Sequence, residues 1–191
     1  CQKFIDFEKD YGPHALLYDC KFPKHYNPTI LEGILRKLFK EDFNSIEFAV
    51  VYGSRNPISD IDIFMVSDKI PQTYEKWIDI SSITNQKFQE LLSKMDLSIT
   101  DPLFTGQFIC GNKNYLEQAK EIISNMQITP ENIEHQILHS EQARHIALAN
   151  DGDLEKYRTA MQWNRSYTAN AKEMEHNRKA LTLANLISRY P

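Results

Sequence analysis

The sequence has few cysteines, no long apolar run and no excess of positive charge, and each of these removes a class of protein. Its three cysteines, Cys1, Cys20 and Cys110, are odd in number and show no CxxC spacing, so neither a disulfide framework nor a thiolate zinc site is expected. Reduced thiols and a cytoplasmic location are the expectation. The longest uninterrupted apolar run, Phe48-Ala49-Val50-Val51-Tyr52, is far short of the ~20 residues that span a bilayer, so no membrane partner is expected. The opening residues are densely charged and lack the apolar core of a signal peptide. With 26 acidic against 22 basic residues the net charge is −4, the opposite of a surface built to neutralise many phosphates, which disfavours a polynucleotide partner. Walker A, Gly-x-Gly-x-x-Gly and Gly-x-Ser-x-Gly motifs are all absent, and the nucleotide-binding and hydrolase classes they mark go with them.

What is present is a globular balance. Over 191 residues, 41% hydrophobic and 25% charged, there is enough chain for one domain with an appendage, and we find no internal repeat. Residues 1–27 have aromatics and prolines without a steady period and read as an irregular segment. Asn27-Pro28-Thr29 opens a helix, with Asn as cap and Pro in the first turn, and Ile30, Leu31, Ile34, Leu35 and Leu38 continue it to near Asp42. The Arg36-Lys37 and Lys40 cluster is its wet face. Ile46–Tyr52 and Asp60–Val66 are short, apolar and rich in β-branched or aromatic residues, the marks of buried strands.

From Ser67 to Pro102 two readings compete. Trp77–Ile83 reads as a third strand, followed by a helix capped by Asn85 that carries Phe88, Leu91, Leu92 and Met95. The alternative is one helix from Thr73 to Met95, with Asp96–Thr100 as the strand. Ile78, Ile80, Ile83 and two adjacent serines favour the first, because β-branched and backbone-competing side chains fill helices poorly. Leu103–Cys110 reads as a further strand or hairpin arm, closed by Gly111-Asn112. Beyond Asn114 the apolar spacing is helical, with boundaries at Thr129-Pro130 and at Asn150–Asp153, where Asp153 caps the next helix. The expected fold is therefore α+β: a small mixed sheet flanked by helices over residues 1–113, then a helical bundle over 114–191.

The stretch that carries chemistry is Val50-Val51-Tyr52-Gly53-Ser54-Arg55-Asn56-Pro57-Ile58-Ser59-Asp60-Ile61-Asp62. A strand ends in a Gly-Ser turn, a short connector follows, and a second strand opens with Asp-x-Asp. Side chains two apart on a strand share a face, so Asp60 and Asp62 can present paired hard oxygens suited to Mg²⁺. A glycine lets backbone approach a phosphate closely, and serine and amide donors can cradle its oxygens.

This pattern resembles the nucleotidyltransferase superfamily typified by DNA polymerase β, and within it the small bacterial minimal and aminoglycoside nucleotidyltransferases. The likeness is strongest over residues 46–66, weakens towards residue 113, and no family motif marks the helical part. The five residues between Ser54 and Asp60 are a shorter connector than many members have. The resemblance implies a transferase that moves a nucleoside monophosphate from a triphosphate such as ATP onto an acceptor hydroxyl, with two Mg²⁺ ions, or Mn²⁺, as cofactor. Gly53, Ser54 and Arg55 would hold the triphosphate, and Asp60 and Asp62 the metals. A third carboxylate, to ligate the metal nearest the acceptor or take its proton, is implied on a neighbouring strand: Asp79, in Ile78-Asp79-Ile80, with Asp96 as its competitor. The preferred acceptor is a small molecule, ahead of an RNA 3′ end or a protein hydroxyl as in toxin-like relatives. The alternative is a catalytically silent module of the same fold that binds nucleotide or protein.

Elsewhere the bland readings prevail. His135 and His139 are four apart on a helix, but Gln136 replaces the glutamate of the His-Glu-x-x-His motif and no third ligand is evident, so they read as surface or capping histidines. Tyr157, Met161, Trp163 and Tyr167 read as bundle core. No arginine is followed four to six residues later by histidine, which removes the ribonuclease signature found in some helical partners of minimal nucleotidyltransferases.

Overall fold

The computed structural model describes residues 18–19, 22–53, 60–75 and 78–177. They divide into two compact units that interleave along the chain. A sheet unit takes the described residues up to Phe88 together with Thr105–Gln118, and a helical unit takes Gln89–Phe104 and the residues from Ala119 on. A single cut after residue 113 is thus replaced by a division in which residues 89–104 join the later helices. The fold is α+β.

The sheet unit opens with β1 (Tyr18–Asp19) and β2 (Phe22–Tyr26), paired antiparallel as a ribbon where an irregular segment was expected. Next comes α1 (Pro28–Phe39). Its cap is Asn27, whose side-chain oxygen accepts from the amides of Thr29 and Ile30, and its last turn tightens into a 3₁₀ stretch, Lys40–Ser45. Arg36 stays on the solvent face, paired with Glu32 and lying 4.0 Å over the Phe43 ring. The strands β3 (Ile46–Tyr52), β4 (Ile61–Ser67), β5 (Thr73–Glu75), β6 (Ile78–Ile83) and β7 (Gln107–Gly111) form one mixed sheet in the order β5-β6-β4-β3-β7. Only the β4–β6 pair is parallel.

Alternation along the strands assigns the two faces. Ala49, Val51, Ile61, Ile63, Met65, Ile78 and Ile80 face one way and form a buried cluster with Leu31 and Leu35 of α1. On the other face Phe48 and Phe64 meet Phe88 of α2 (Asn85–Ser93) and Tyr115 of α4 (Lys113–Asn125), with ring centroids 5.4 to 6.4 Å apart. Tilted and edge-on ring pairs of this kind add roughly 0.5–1.5 kcal/mol each beyond area burial. The capping hydroxyl of α2 lies one residue before the expected Asn85: the Thr84 hydroxyl accepts from the Lys87 amide, while Asn85, already in the helix, accepts from the Tyr115 hydroxyl at 2.5 Å.

Gly111 ends β7 at φ +93°, where a Cβ would lie 2.5 Å from the Glu47 carbonyl oxygen and 2.7 Å from the Phe48 Cα. Both obstacles are backbone and cannot swing aside. Gly111→Ala is therefore expected to destabilise the sheet unit by about 2–3 kcal/mol, combining left-handed strain with a forced separation of β7 from β3. A urea midpoint equal to that of the unchanged protein would show that the strands give way freely.

In the helical unit, α3 (Leu97–Thr105) takes Leu103–Thr105 from the arm expected over Leu103–Cys110, the rest of which is β7. Pro102 and the β-branched Ile99 and Thr100 argue locally against a helix, but Leu97, Ile99, Thr100, Pro102 and Leu103 are all buried, and packing overrides propensity. The helix α5 (Pro130–Ala149) starts at a capping box between Thr129 and Asn132, and α6 (Leu154–Asn177) follows Asp153, whose carboxylate accepts from the Lys156 amide. These two helices meet along a polar seam. Asn170 donates to Gln136, Asn164 donates to the Ser140 carbonyl, and the Ser140 and Thr168 hydroxyls share a hydrogen bond. No helix among the described residues is long and apolar enough to cross a membrane.

Candidate functional site

The acidic site is built at one end of the sheet face opposite α1. Register brings Tyr52 opposite Asp62, Asp62 opposite Asp79 and Asp79 opposite Tyr74, so these four side chains form a single row across β3, β4, β6 and β5. Of the expected strand Trp77–Ile83, Ile78–Ile83 is strand and Trp77 lies outside the described residues, and no helix runs from Thr73 to Met95. Asp62 and Asp79 are half-buried neighbours on adjacent parallel strands. Asp60 is half-buried too, but it precedes β4 by one residue instead of lying within it, so strand alternation does not set its direction. The Tyr74 hydroxyl reaches back to it, donating to Oδ2 at 3.4 Å.

The crowding of like charge is visible in the acidity of Asp62. Burial raises its carboxyl first, and the Asp79 and Asp60 charges raise it further, to about 6 from an ordinary 3.8. A carboxylate whose charge is disfavoured by loss of water and by two like charges is one that a bound cation would relieve.

Gly53 closes β3 against this row. Its φ is +78°, and a Cβ there would overlap the Asp62 carboxylate, so only glycine allows the turn to lie directly over that side chain. Ser54 and Arg55, expected beside it on a phosphate, lie outside the described residues.

Asp96, the competitor for the third carboxylate, belongs to the helical unit and is engaged there. It is 1% exposed and faces His135, His139, Ser98 and Tyr167. Burial alone would raise its carboxyl, yet hydrogen bonds from His135 and Ser98 and the nearby charge of His139 hold it at about 2. The two histidines accordingly are not bare surface or capping groups, and the third partner, Asp96, comes from a turn 39 residues before His135. Tyr167 is buried as expected, but its hydroxyl donates to Asp96. Nothing in the spacing of residues 96, 135 and 139 announces this meeting. Its local signal is Asp96-x-Ser98, an aspartate two residues before a hydroxyl at the start of a helix, which is a cap signature.

No family model matches the sequence, and no curated protein is similar to it at a significant level. Among solved structures, a nucleotidyltransferase-like protein from Exiguobacterium sibiricum is similar, with a TM-score of 0.44 and 11% sequence identity. The alignment covers 84% of this chain, which spans 62% of the length of that protein.

Proposed function

We propose that the chain is a metal-dependent nucleotidyltransferase acting at the Asp60, Asp62 and Asp79 cluster. The observation that carries this reading is the in-register pairing of Asp62 and Asp79 beside a glycine turn packed on the Asp62 carboxylate. The donor set is all carboxylate, which suits Mg²⁺ or Mn²⁺, and the raised pKa of Asp62 fits a place where positive charge is wanted. Bound there, the ions would neutralise the triphosphate and lower the pKa of the acceptor hydroxyl.

The chain's own groups would divide the rest of the work. Asp60 and Asp62 would hold the cations, Gly53 would allow backbone to approach a phosphate, and Asp79 would take the proton of the attacking hydroxyl at a carboxylate oxygen. The acceptor oxygen bonds to the α-phosphorus as the bond to the β-phosphate oxygen breaks, and pyrophosphate leaves in line. A small-molecule acceptor, ahead of RNA or protein, accords with the net charge of −4, and a cytoplasmic setting with the sparse cysteines. A silent nucleotide-binding module would keep Asp60 and Asp62 in use and need no base at Asp79.

Incubation with each labelled nucleoside triphosphate, Mg²⁺ and a metabolite pool tests this. Label is expected in the small-molecule fraction with the unchanged protein. With Asp79→Ala, transfer is expected to stop while triphosphate with Mg²⁺ still raises the melting temperature. Thermal stabilisation without any labelled product would favour the silent module. Equal stabilisation in excess chelator would remove the metal site from the proposal.

A further inference from the structure

The helical unit brings three metal-ligating groups of its own to one point. His135 and His139 are one helical turn apart on α5, so both imidazoles leave the same side of the helix, and their ring centroids lie 4.4 Å apart. Opposite them Asp96 presents two oxygens with different surroundings. Oδ1 accepts from the Ser98 amide at 2.8 Å, the Ser98 hydroxyl at 2.5 Å and the Tyr167 hydroxyl at 2.9 Å. Oδ2 faces His135 Nε2 at 2.5 Å and His139 Nε2 at 3.8 Å. A carboxylate oxygen and two ring nitrogens that converge in this way need an electropositive centre among them, either a proton or a metal ion.

We propose that Asp96, His135 and His139 bind one late first-row divalent metal ion, Zn²⁺ by the donor set. The chemistry of two imidazoles and one carboxylate matches zinc far better than magnesium, and two histidines four apart on a helix are a spacing that chelates it. The three ligand atoms already lie within 4.8 Å of one another. Donors around a tetrahedral zinc sit about 3.3 Å apart, given zinc–ligand bonds of about 2.0–2.1 Å. His135 would withdraw by under about 1 Å and His139 would close by about half that, movements that side-chain rotation supplies.

The supports around the site are those that metal ligands have. Ser98 and Tyr167 fix the carboxylate through the oxygen that would not bind metal. The Tyr167 ring also stacks on His139, with centroids 5.2 Å apart and planes 27° apart. The turn that carries Asp96 is pinned to α5 by Gln136, which donates to the Met95 carbonyl, and by Asn132, which donates to the Ser93 carbonyl. Met95 takes the left-handed conformation at φ 51°, and the Asp96 amide donates back to the Leu91 carbonyl, a helix ending usually given to glycine. Access comes from a cleft of 610 Å³ between α5 and α6, which His139, Trp163 and Tyr167 line. Three protein ligands beside such a cleft leave a fourth position for water or a ligand, the arrangement of reactive rather than structural zinc.

The test uses the full chain, stripped with chelator and titrated with Co²⁺, whose visible absorption reports tetrahedral nitrogen and oxygen ligation. One equivalent is expected to develop the bands, Zn²⁺ to bleach them and excess Mg²⁺ to leave them. His139→Gln, at a partly exposed position that spares the Asp96 contacts to Ser98 and Tyr167, is expected to weaken Co²⁺ binding at least tenfold, with far-ultraviolet dichroism unchanged. The double variant Asp60→Asn, Asp62→Asn is expected to keep the bands, so this outcome is independent of the transferase reading. Absence of bands, or bands that survive His139→Gln, would leave a proton-bridged aspartate–histidine cluster and overturn the proposal.

Discussion

Asp62→Asn is expected to cut the proposed nucleotidyl transfer by about 10³-fold, equivalent to about 4 kcal/mol of transition-state stabilisation, while raising the stability of the metal-free protein at neutral pH. The two effects share one cause. The Asp62 carboxyl is held at about 6 in the fold, chiefly by burial and then by Asp79 and Asp60, against 3.8 when unfolded. Between those values the folded protein binds more protons than the unfolded one, so stability falls as pH rises. The favourable contribution is fully present below about pH 4 and lost as pH passes through about 6. Asparagine carries no charge at any pH, so the variant should lose that slope and resemble the parent in acid. Mg²⁺ should stabilise the parent at pH 8 and not the variant. A variant with normal turnover, or a parent whose chelated melting temperature is flat from pH 4 to 7, would detach Asp62 from the chemistry.

The largest loss of stability is expected at Asp96→Ala, about 3–5 kcal/mol, in the absence of any metal. The side chain is 1% exposed, so truncation leaves the Tyr167 hydroxyl and the His135 imidazole facing a void, and it removes the cap that Ser98 uses at the start of α3. Asp96→Asn keeps an acceptor for Tyr167 and Ser98 and should lose less. The pH window is opposite to that of Asp62. Asp96 is lowered to about 2 from 3.8, so its contribution is present above about pH 4 and vanishes as pH falls through about 2. Urea midpoints at pH 7 and pH 3 would read both effects, and an Asp96→Ala midpoint within experimental error of the parent would contradict the network.

Features set by neighbours in sequence were legible, and features set by distant partners were not. The Asn27, Thr129 and Asp153 helix starts are local side chain to amide bonds, and each is visible in a few consecutive letters. The strands Ile46–Tyr52 and Ile61–Ser67 are legible because one face or both are buried, which leaves an apolar run. Gly53 and Asp62 lie nine residues apart within one motif and are close neighbours in space. By contrast α3 reads against its own propensities, since burial of nearly every turn decides it. The meeting of Asp96 with His135, His139 and Tyr167 spans 71 residues at its widest and has no periodicity to betray it. An apparent candidate for the acidic site thus turned out to belong to a second cluster.

The interleaving of the two units bears on how the chain is made. Residues 89–104 leave the ribosome ahead of β7, yet they join the helices that follow residue 118. Until Asn132 and Gln136 emerge, the Ser93 and Met95 carbonyls lack the side-chain donors that they will engage, and Asp96 waits 39 residues for His135. The helical unit therefore cannot mature as an independent C-terminal fragment. One starting at residue 114 would carry both histidines and neither the turn nor the aspartate that complete them. Splitting this gene product for expression has to respect three crossings of the chain rather than one, and a fusion or tag inserted between α4 and α5 breaks neither unit's set of partners.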